Sequence, residues 1–305
     1  MSIAKEKYID FIKENYVPIF YRNEYLDVVC DVQWDVVLYE EDKQIKGIYI
    51  YMVKHKYLLN YIIQPQLCPY TGPLFFNPKD IDKAYSYLLS TLPKHHLIIQ
   101  DYFHDLPEIN GFEYTQLKKH TYVFSADLDI EELWSSQSSS HRRIIRKAQR
   151  ELKYEDEESI DVFLNFQSKT FQKRRKKLPI NPMIHKELDK VLVSLGNRKI
   201  IKCTNSKNEV VAMCYFIMDE KWTFNIASSV ANSYRHNGMN LIMWNEIKAS
   251  LSQGRSFDFE GSMIEGIDRF FRRFKGTKTT YYSRYKSSNM LIDLLVKIKK
   301  SMKNE

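Results

Sequence analysis

Apolar and polar positions alternate in the manner of half-buried strands in three early stretches, Trp34 to Tyr39, Ile45 to Val53 and Tyr57 to Ile63. The polar turn EEDKQ joins the first two, and helical spacing over residues 5 to 15 precedes them, so the chain opens as a helix followed by a three-stranded meander. CPYTGPLFFNP then reads as loop, DIDKAYSYLLSTL as a helix and HLIIQDY as a buried strand, while FEYTQLKKHTYVFSADL supplies further extended segments. From Asp129 the pattern turns helical. Asp129 and Glu132 have the spacing of a capping box, a second helix runs from Ser140 to Leu152, and a third from Ser159 to Lys173. Asn181-Pro182 starts a fourth that stops at Gly196. SSQSSS at 135 to 140 reads as the loop between the first two helices. Three strands follow, RKIIKCT, EVVAMCYFIM and KWTFNIASS, then a helix from Met239 to Ser252, the strand SFDFE, a helix around 264 to 274 and a last strand, TTYYSRY.

The second half thus repeats the element order of the first: helix, meander, helix, strand. No residue-level repeat accompanies it. The expected fold is mixed α+β in two tandem units, 1–128 and 129–305, each a mostly antiparallel sheet flanked by helices.

Composition narrows the partners more than the fold. The chain of 305 residues is 44% hydrophobic, enough for ample cores, and its formal charge of +8 favours anionic partners such as phosphates, nucleic acid or headgroups. Cys30, Cys68, Cys203 and Cys214 are scattered without metal or disulfide spacing, which predicts buried, reduced thiols in a cytoplasmic protein. MSIAKEKYIDFIKENY has no apolar signal-peptide core, and no apolar run reaches the roughly 18 residues of a spanning helix. Any membrane association is expected to be peripheral, with the amphipathic NMLIDLLVKIKKSMKNE either lying on an anionic surface or docking on its own domain.

The candidate chemistry concentrates in the second half. Arg235, His236, Asn237, Gly238, Met239 and Asn240 form R-x-x-G-x-N directly before a helix, after the strand that carries Ser228. A helix start offers unpaired N–H groups and a positive dipole end, and a glycine admits close approach of a phosphate. In SFDFEGS, strand alternation sets Asp258 and Glu260 on one face and Phe257 and Phe259 on the other. The acidic pair has two readings: Glu260, nearest the strand end, as general base, or both carboxyls pairing with Arg269, Arg272 or Arg273 to fix the next helix. Tyr282, with Tyr281, is a candidate proton donor to a leaving group or a packing residue. Arg142 and Arg146 on HRRIIRKAQRE, with KRRKK at 173 to 177 and with Arg269 and Arg273, suit a phosphate-rich substrate, although a solvated basic face is the plain alternative. Metal chemistry has no pattern, since His95 and His96 are adjacent and no HExxH occurs.

Trp34-Asp35-Val36-Val37, CPYTGPLFF, HRRIIRKAQRE and above all FDFEGSMIEGIDRFFRRFKG resemble GNAT-superfamily acyltransferases of the Fem-type branch, in which two GNAT-like units are fused. The resemblance implies transfer of an acyl or aminoacyl group to an amine in a cleft between residues 222 to 229 and 256 to 262, with the first unit shaping the acceptor channel. It implies acyl-CoA or acetyl-CoA as donor. Its alternative is aminoacyl-tRNA with a peptidoglycan precursor as acceptor. Asn240 stands where the GNAT phosphate loop has Gly or Ala, and Phe271 where the tRNA-using enzymes have a lysine. A non-catalytic polyanion or nucleic-acid binder is the rival from another class, disfavoured because no aromatic residues interleave the basic clusters.

Overall fold

The structure, a computed structural model, describes residues 2–56, 58–104, 115–178, 180–231 and 237–287. Its contacts divide the chain into two units, Met1–Lys119 with Thr280–Glu305, and His120–Thr279. These breaks at 119/120 and 279/280 differ from the single division at 128/129 read from the sequence. The class, mixed α and β with mostly antiparallel strands, is the one expected.

The first unit holds α1 (Ile3–Glu14), α2 (Asn23–Val29), β1 (Trp34–Glu41), β2 (Gln44–Lys56), β3 (Leu59–Ile63), β4 (Gly72–Phe75), α3 (Ile81–Thr91) and β5 (Leu97–Asp101). Ser2 caps α1 by accepting from the Lys5 N–H. Asp42 and Lys43 both take positive φ, 50° and 63°, so β1 and β2 are joined by a two-residue type I′ turn whose twist matches the strands. The CPYTGPLFF stretch is not all loop: Gly72–Phe75 pairs antiparallel with Gly47–Ile50. Pro73 is tolerated there because β4 lies off the main strand path, paired only with β2. On the face of this sheet that it covers, α3 buries Ala84, Tyr85, Leu88 and Leu89 against Val37, Tyr39, Tyr49, Ile62 and Ile98.

The second unit takes over within β6 (Thr115–Phe124). It continues with α4 (Ile130–Ser136), α5 (Ser139–Glu151), β7 (Lys153–Asp156), α6 (Ile160–Lys173), α7 (Pro182–Ser194), β8 (Arg198–Thr204), β9 (Val210–Met218), β10 (Trp222–Val230), α8 (Gly238–Ser252), β11 (Ser256–Asp258) and α9 (Glu265–Arg272). The last strand, β12 (Thr277–Ser287), pairs Ser283–Ser287 antiparallel with β5, within the first unit. The second unit's strands run in the order β6-β11-β10-β9-β8-β7, and only β10 and β11 are parallel neighbours. One face packs Ile145, Ala148 and Leu152, Leu241 and Ile247, and Phe271 and Phe274 onto Tyr122, Phe124, Phe216, Phe257 and Phe259. The helix α8 buries residues all round, which is why its pattern lacks a polar side. On the opposite face, α6 and α7 bring Phe163 and His185 against Tyr215.

All four cysteines are free and buried, as expected, and burial pushes the Cys30 and Cys203 thiols up to about 12. Among the described residues no helix is long and apolar enough to cross a membrane. The carboxy-terminal amphipathic stretch lies outside the described residues.

Candidate active site

β10 and β11 run side by side for three residue pairs, Trp222↔Ser256, Thr223↔Phe257 and Phe224↔Asp258, and then part. β10 continues along β9 to Val230, bent by a bulge between Asn225 and Ala227. The chain beyond Asp258 follows β6 instead: the Phe259 N–H donates to the Tyr122 carbonyl at 3.3 Å. Gly261 then lies so close to β6 that a Cβ would sit 2.2 Å from the His120 carbonyl oxygen, and its φ of 68° is itself a glycine conformation. Among the described residues, the 225–230 stretch of β10 therefore has no strand partner on the side that β11 has left. Backbone groups along such an edge are available to a ligand.

Alternation places Phe257 and Phe259 in the core and turns Asp258 to the other face. Asp258 is fully buried. Its Oδ1 accepts from Thr121 Oγ1 at 2.5 Å and from the Glu260 N–H at 2.7 Å. Glu260, with φ of 60°, marks the reversal of the chain, and its Oε1 is shielded without a hydrogen-bond partner. Burial first, and the neighbouring Asp258 second, hold the Glu260 carboxyl well above the usual carboxylate range. That environment favours the protonated form of Glu260, one of the two carboxyls that the sequence offers as a general base. The arginines of α9 have partners elsewhere, Arg269 with Glu265 and Arg272 with Asp268.

The start of α8 contrasts with its counterpart in the first unit. Asn237, left-handed at φ 49°, gives no side-chain cap, so the Gly238 and Met239 amides lack helical partners. At α3 the Asp80 carboxyl accepts from the Lys83 N–H and Asp82 adds a second acid to the first turn. Those acids compensate the α3 dipole and repel an anion, whereas the first turn of α8 carries no acid.

Gly238 is required for packing in its own right: a Cβ would come within 3.0 Å of Val211 Cγ2 and 3.1 Å of Ala212 Cβ. Asn240 points inward to His141, 3.0 Å from its Nε2, while the His141 Nδ1 lies 3.1 Å from the Arg273 carbonyl. Burial lowers the His141 pKa, and the ring meets two oxygens, the Arg273 carbonyl at Nδ1 and Asn240 Oδ1 at Nε2. The departure from the GNAT pattern at Asn240 is thus filled by an internal tie between α8 and α5. Met239 is likewise internal, its sulfur 3.3 Å from that of Cys214. Ser228 donates to Asn225 Oδ1 at 2.8 Å on the bulged strand. Arg235 and His236 lie outside the described residues.

Of the basic candidates, Arg142 donates to the Ser135 carbonyl at 2.8 Å, closing the end of α4, and Arg146 stacks 5.3 Å over the Trp134 ring. Arg143 and Arg150 remain outward on α5, as do Arg273 and Lys275 at the end of α9. Phe271 stacks on Phe259 with ring centroids 4.1 Å apart, a core contact that a lysine would not make. Tyr282 belongs to the first unit, where its carbonyl accepts from the Tyr102 N–H.

Sequence reasoning passed over one cluster. His120 Nε2 lies 2.7 Å from Asp268 Oδ1, the Tyr122 hydroxyl donates to the same oxygen at 2.9 Å, and Arg272 bonds Asp268 Oδ2. The hydrogen bond from His120, with those from Tyr122 and Arg272, holds Asp268 down to about 2. His120 and Asp268 are 148 positions apart, so no local signal joins them.

No family model and no curated protein matches the chain. Solved structures do. The chain is similar to FemX at a TM-score of 0.65 and 12% identity, over 92% of this chain and 96% of that one. It is similar to the C-terminal domain of a putative lysylphosphatidylglycerol synthetase from Agrobacterium fabrum (TM-score 0.59, 9% identity, 97% and 95% coverage). A tandem GNAT protein from the clavulanic acid biosynthesis pathway matches at 0.50 with 6% identity and 93% of each chain. Identities this low speak for the fold alone. The chain therefore has a Fem-like tandem GNAT fold.

Proposed function

We propose that this protein is an acyltransferase that moves an acyl group from a phosphate-bearing donor to an amine, at the point where β10 and β11 part. The observation that carries the reading is that parting: among the described residues, a strand edge left by β11 after Phe224, in a unit that also carries the Asp258–Glu260 carboxyl pair and an α8 whose N-cap residue, Asn237, makes no side-chain cap. A carbonyl seated on the free edge meets backbone N–H groups suited to a developing oxyanion. The donor's phosphates meet the Gly238 and Met239 amides, with Arg235 and His236 shortly before them in the sequence. The amine attacks from the Asp258 face, and the Asp258–Glu260 pair takes up the proton that the amine releases.

Acyl-CoA is the preferred donor. A second reading, aminoacyl-tRNA with a cell-wall precursor or a lipid as acceptor, is favoured by fold similarity to FemX and to a lysylphosphatidylglycerol synthetase over more than nine-tenths of each chain. Thermal melts separate the readings. Acetyl-CoA at about 100 times its Kd adds about 2.7 kcal/mol and raises the Tm by several degrees if acyl-CoA is the donor. A rise only with alanyl-tRNA supports the second. A rise only with heparin, abolished by salt, overturns both and leaves a polyanion binder.

A further inference from the structure

The two faces of the second unit's sheet divide the chemistry. Thr121 and Asp258 meet on one face, where the amine would attack. Tyr122 packs in the core with Met239 and Leu241 of α8, so it and His120, two positions earlier on the same strand, lie on the face that carries the α8 N-terminus. That is the donor side. His120 is pinned there by Asp268, and the backbone of Gly261, the residue after Glu260, lies directly against its carbonyl. Because Asp268 is an ionised acceptor, His120 Nε2 carries the hydrogen of their 2.7 Å bond. The Asp268 carboxylate is further held by the Tyr122 hydroxyl and by Arg272, whose Nε also reaches the Tyr122 oxygen at 3.4 Å. Among the described residues Nδ1 then has no hydrogen-bond partner, on a side chain that is 22% exposed. A histidine fixed through one nitrogen by an ionised carboxylate, with the other nitrogen open, is the arrangement that general acid–base catalysis uses.

We propose that His120 is the proton donor to the leaving group, positioned by Asp268. The inference rests on the acyl-transfer reading and names its second proton step. As the amine nitrogen bonds to the acyl carbon, the carbon–sulfur bond of a thioester, or the carbon–oxygen bond of an ester, breaks and its electron pair stays on the leaving atom. The proton lost by the amine goes to the Asp258–Glu260 pair. The leaving thiolate or alkoxide takes a proton from His120 Nδ1, and solvent returns one to that nitrogen. Asp268 touches neither substrate. It is a positioning residue, and Tyr122 and Arg272 are the remaining charged or titratable groups that meet it.

The test is single-turnover transfer to glycinamide, from acetyl-CoA and separately from alanyl-tRNA, followed across pH for the wild type, His120→Gln and Asp268→Asn. Glutamine keeps an N–H for Asp268, and the melting temperature of each variant checks that it folds. The expected result is a fall in the single-turnover rate constant of about 100-fold or more in His120→Gln, with one ionisation gone from its pH profile. Asp268→Asn should lose less and keep that ionisation at a displaced pH. If the wild type transfers and His120→Gln stays within about threefold, or falls with an unchanged pH profile, the proton-donor role is overturned while acyl transfer stands. A wild type that transfers from neither donor overturns acyl transfer and the role of His120 together.

Discussion

Glu260 sits at a point where the backbone has just left the strand, in a left-handed conformation, with its carboxyl shielded beside Asp258. Its raised pKa has a consequence for stability. The folded chain favours the neutral carboxyl, while the unfolded chain ionises it above its ordinary value of about 4.5, so its contribution to stability is complete below that value and is lost as pH rises. Glu260→Gln, which mimics the protonated form, should match the wild type near pH 4. It should become more stable than the wild type by about 1.4 kcal/mol for each pH unit above that, until the native carboxyl itself ionises. Tm measured against pH for both proteins checks this; parallel curves would contradict a raised Glu260 pKa. Asn240→Ala removes the partner of His141 Nε2 and should cost about 1–3 kcal/mol, since it strands a buried nitrogen. Because the Asn240 side chain points inward, the affinity for acetyl-CoA should not change, and isothermal titration reads that directly. At this scale the sequence disclosed the acidic pair through simple alternation. It did not disclose Thr121 beneath Asp258, Asn240 against His141, or Asp268 against His120, because those partners are 137, 99 and 148 positions apart.

The elements that build the site were legible where periodicity was strong. KWTFNIASS, the apolar helix after it and SFDFE appear as β10, α8 and β11, although regular pairing in β11 stops at Asp258. The missed elements share a weak signal. α2 has only seven residues and no side-chain cap, β4 contains a proline, and β7 is the polar edge strand KYED. What fixes the exit of β11 is Gly261. Two glycines separate the causes there: a Cβ on Gly254, with φ of 69°, would meet open space, while one on Gly261, with φ of 68°, would meet a backbone carbonyl. Gly254→Ala should cost about 1–2 kcal/mol, the strain of a left-handed alanine alone. Gly261→Ala should cost distinctly more, because β6 or the 259–261 turn must move; denaturant melts of the two variants give the comparison, and equal costs would contradict the close approach.

At the scale of the whole molecule, the repeated element order in the sequence foretold two units, but not that the chain returns to the first unit at Thr280. A strand's partner is set by long-range pairing, which TTYYSRY does not encode locally; its partner, β5, lies nearly two hundred residues earlier. The two units also differ at their corresponding helix starts: acids at α3, none in the first turn of α8. On the proposed reading, that asymmetry favours the second unit as the donor's site. Amide hydrogen exchange, with and without saturating acetyl-CoA or alanyl-tRNA, tests this most directly. The account predicts slowed exchange over residues 225–230 of β10 and over the first turn of α8 with one of the two donors, and no comparable change at the start of α3. Unchanged exchange at β10 and α8 with both donors, or protection confined to α5 and residues 173–177 and erased by salt, would contradict it.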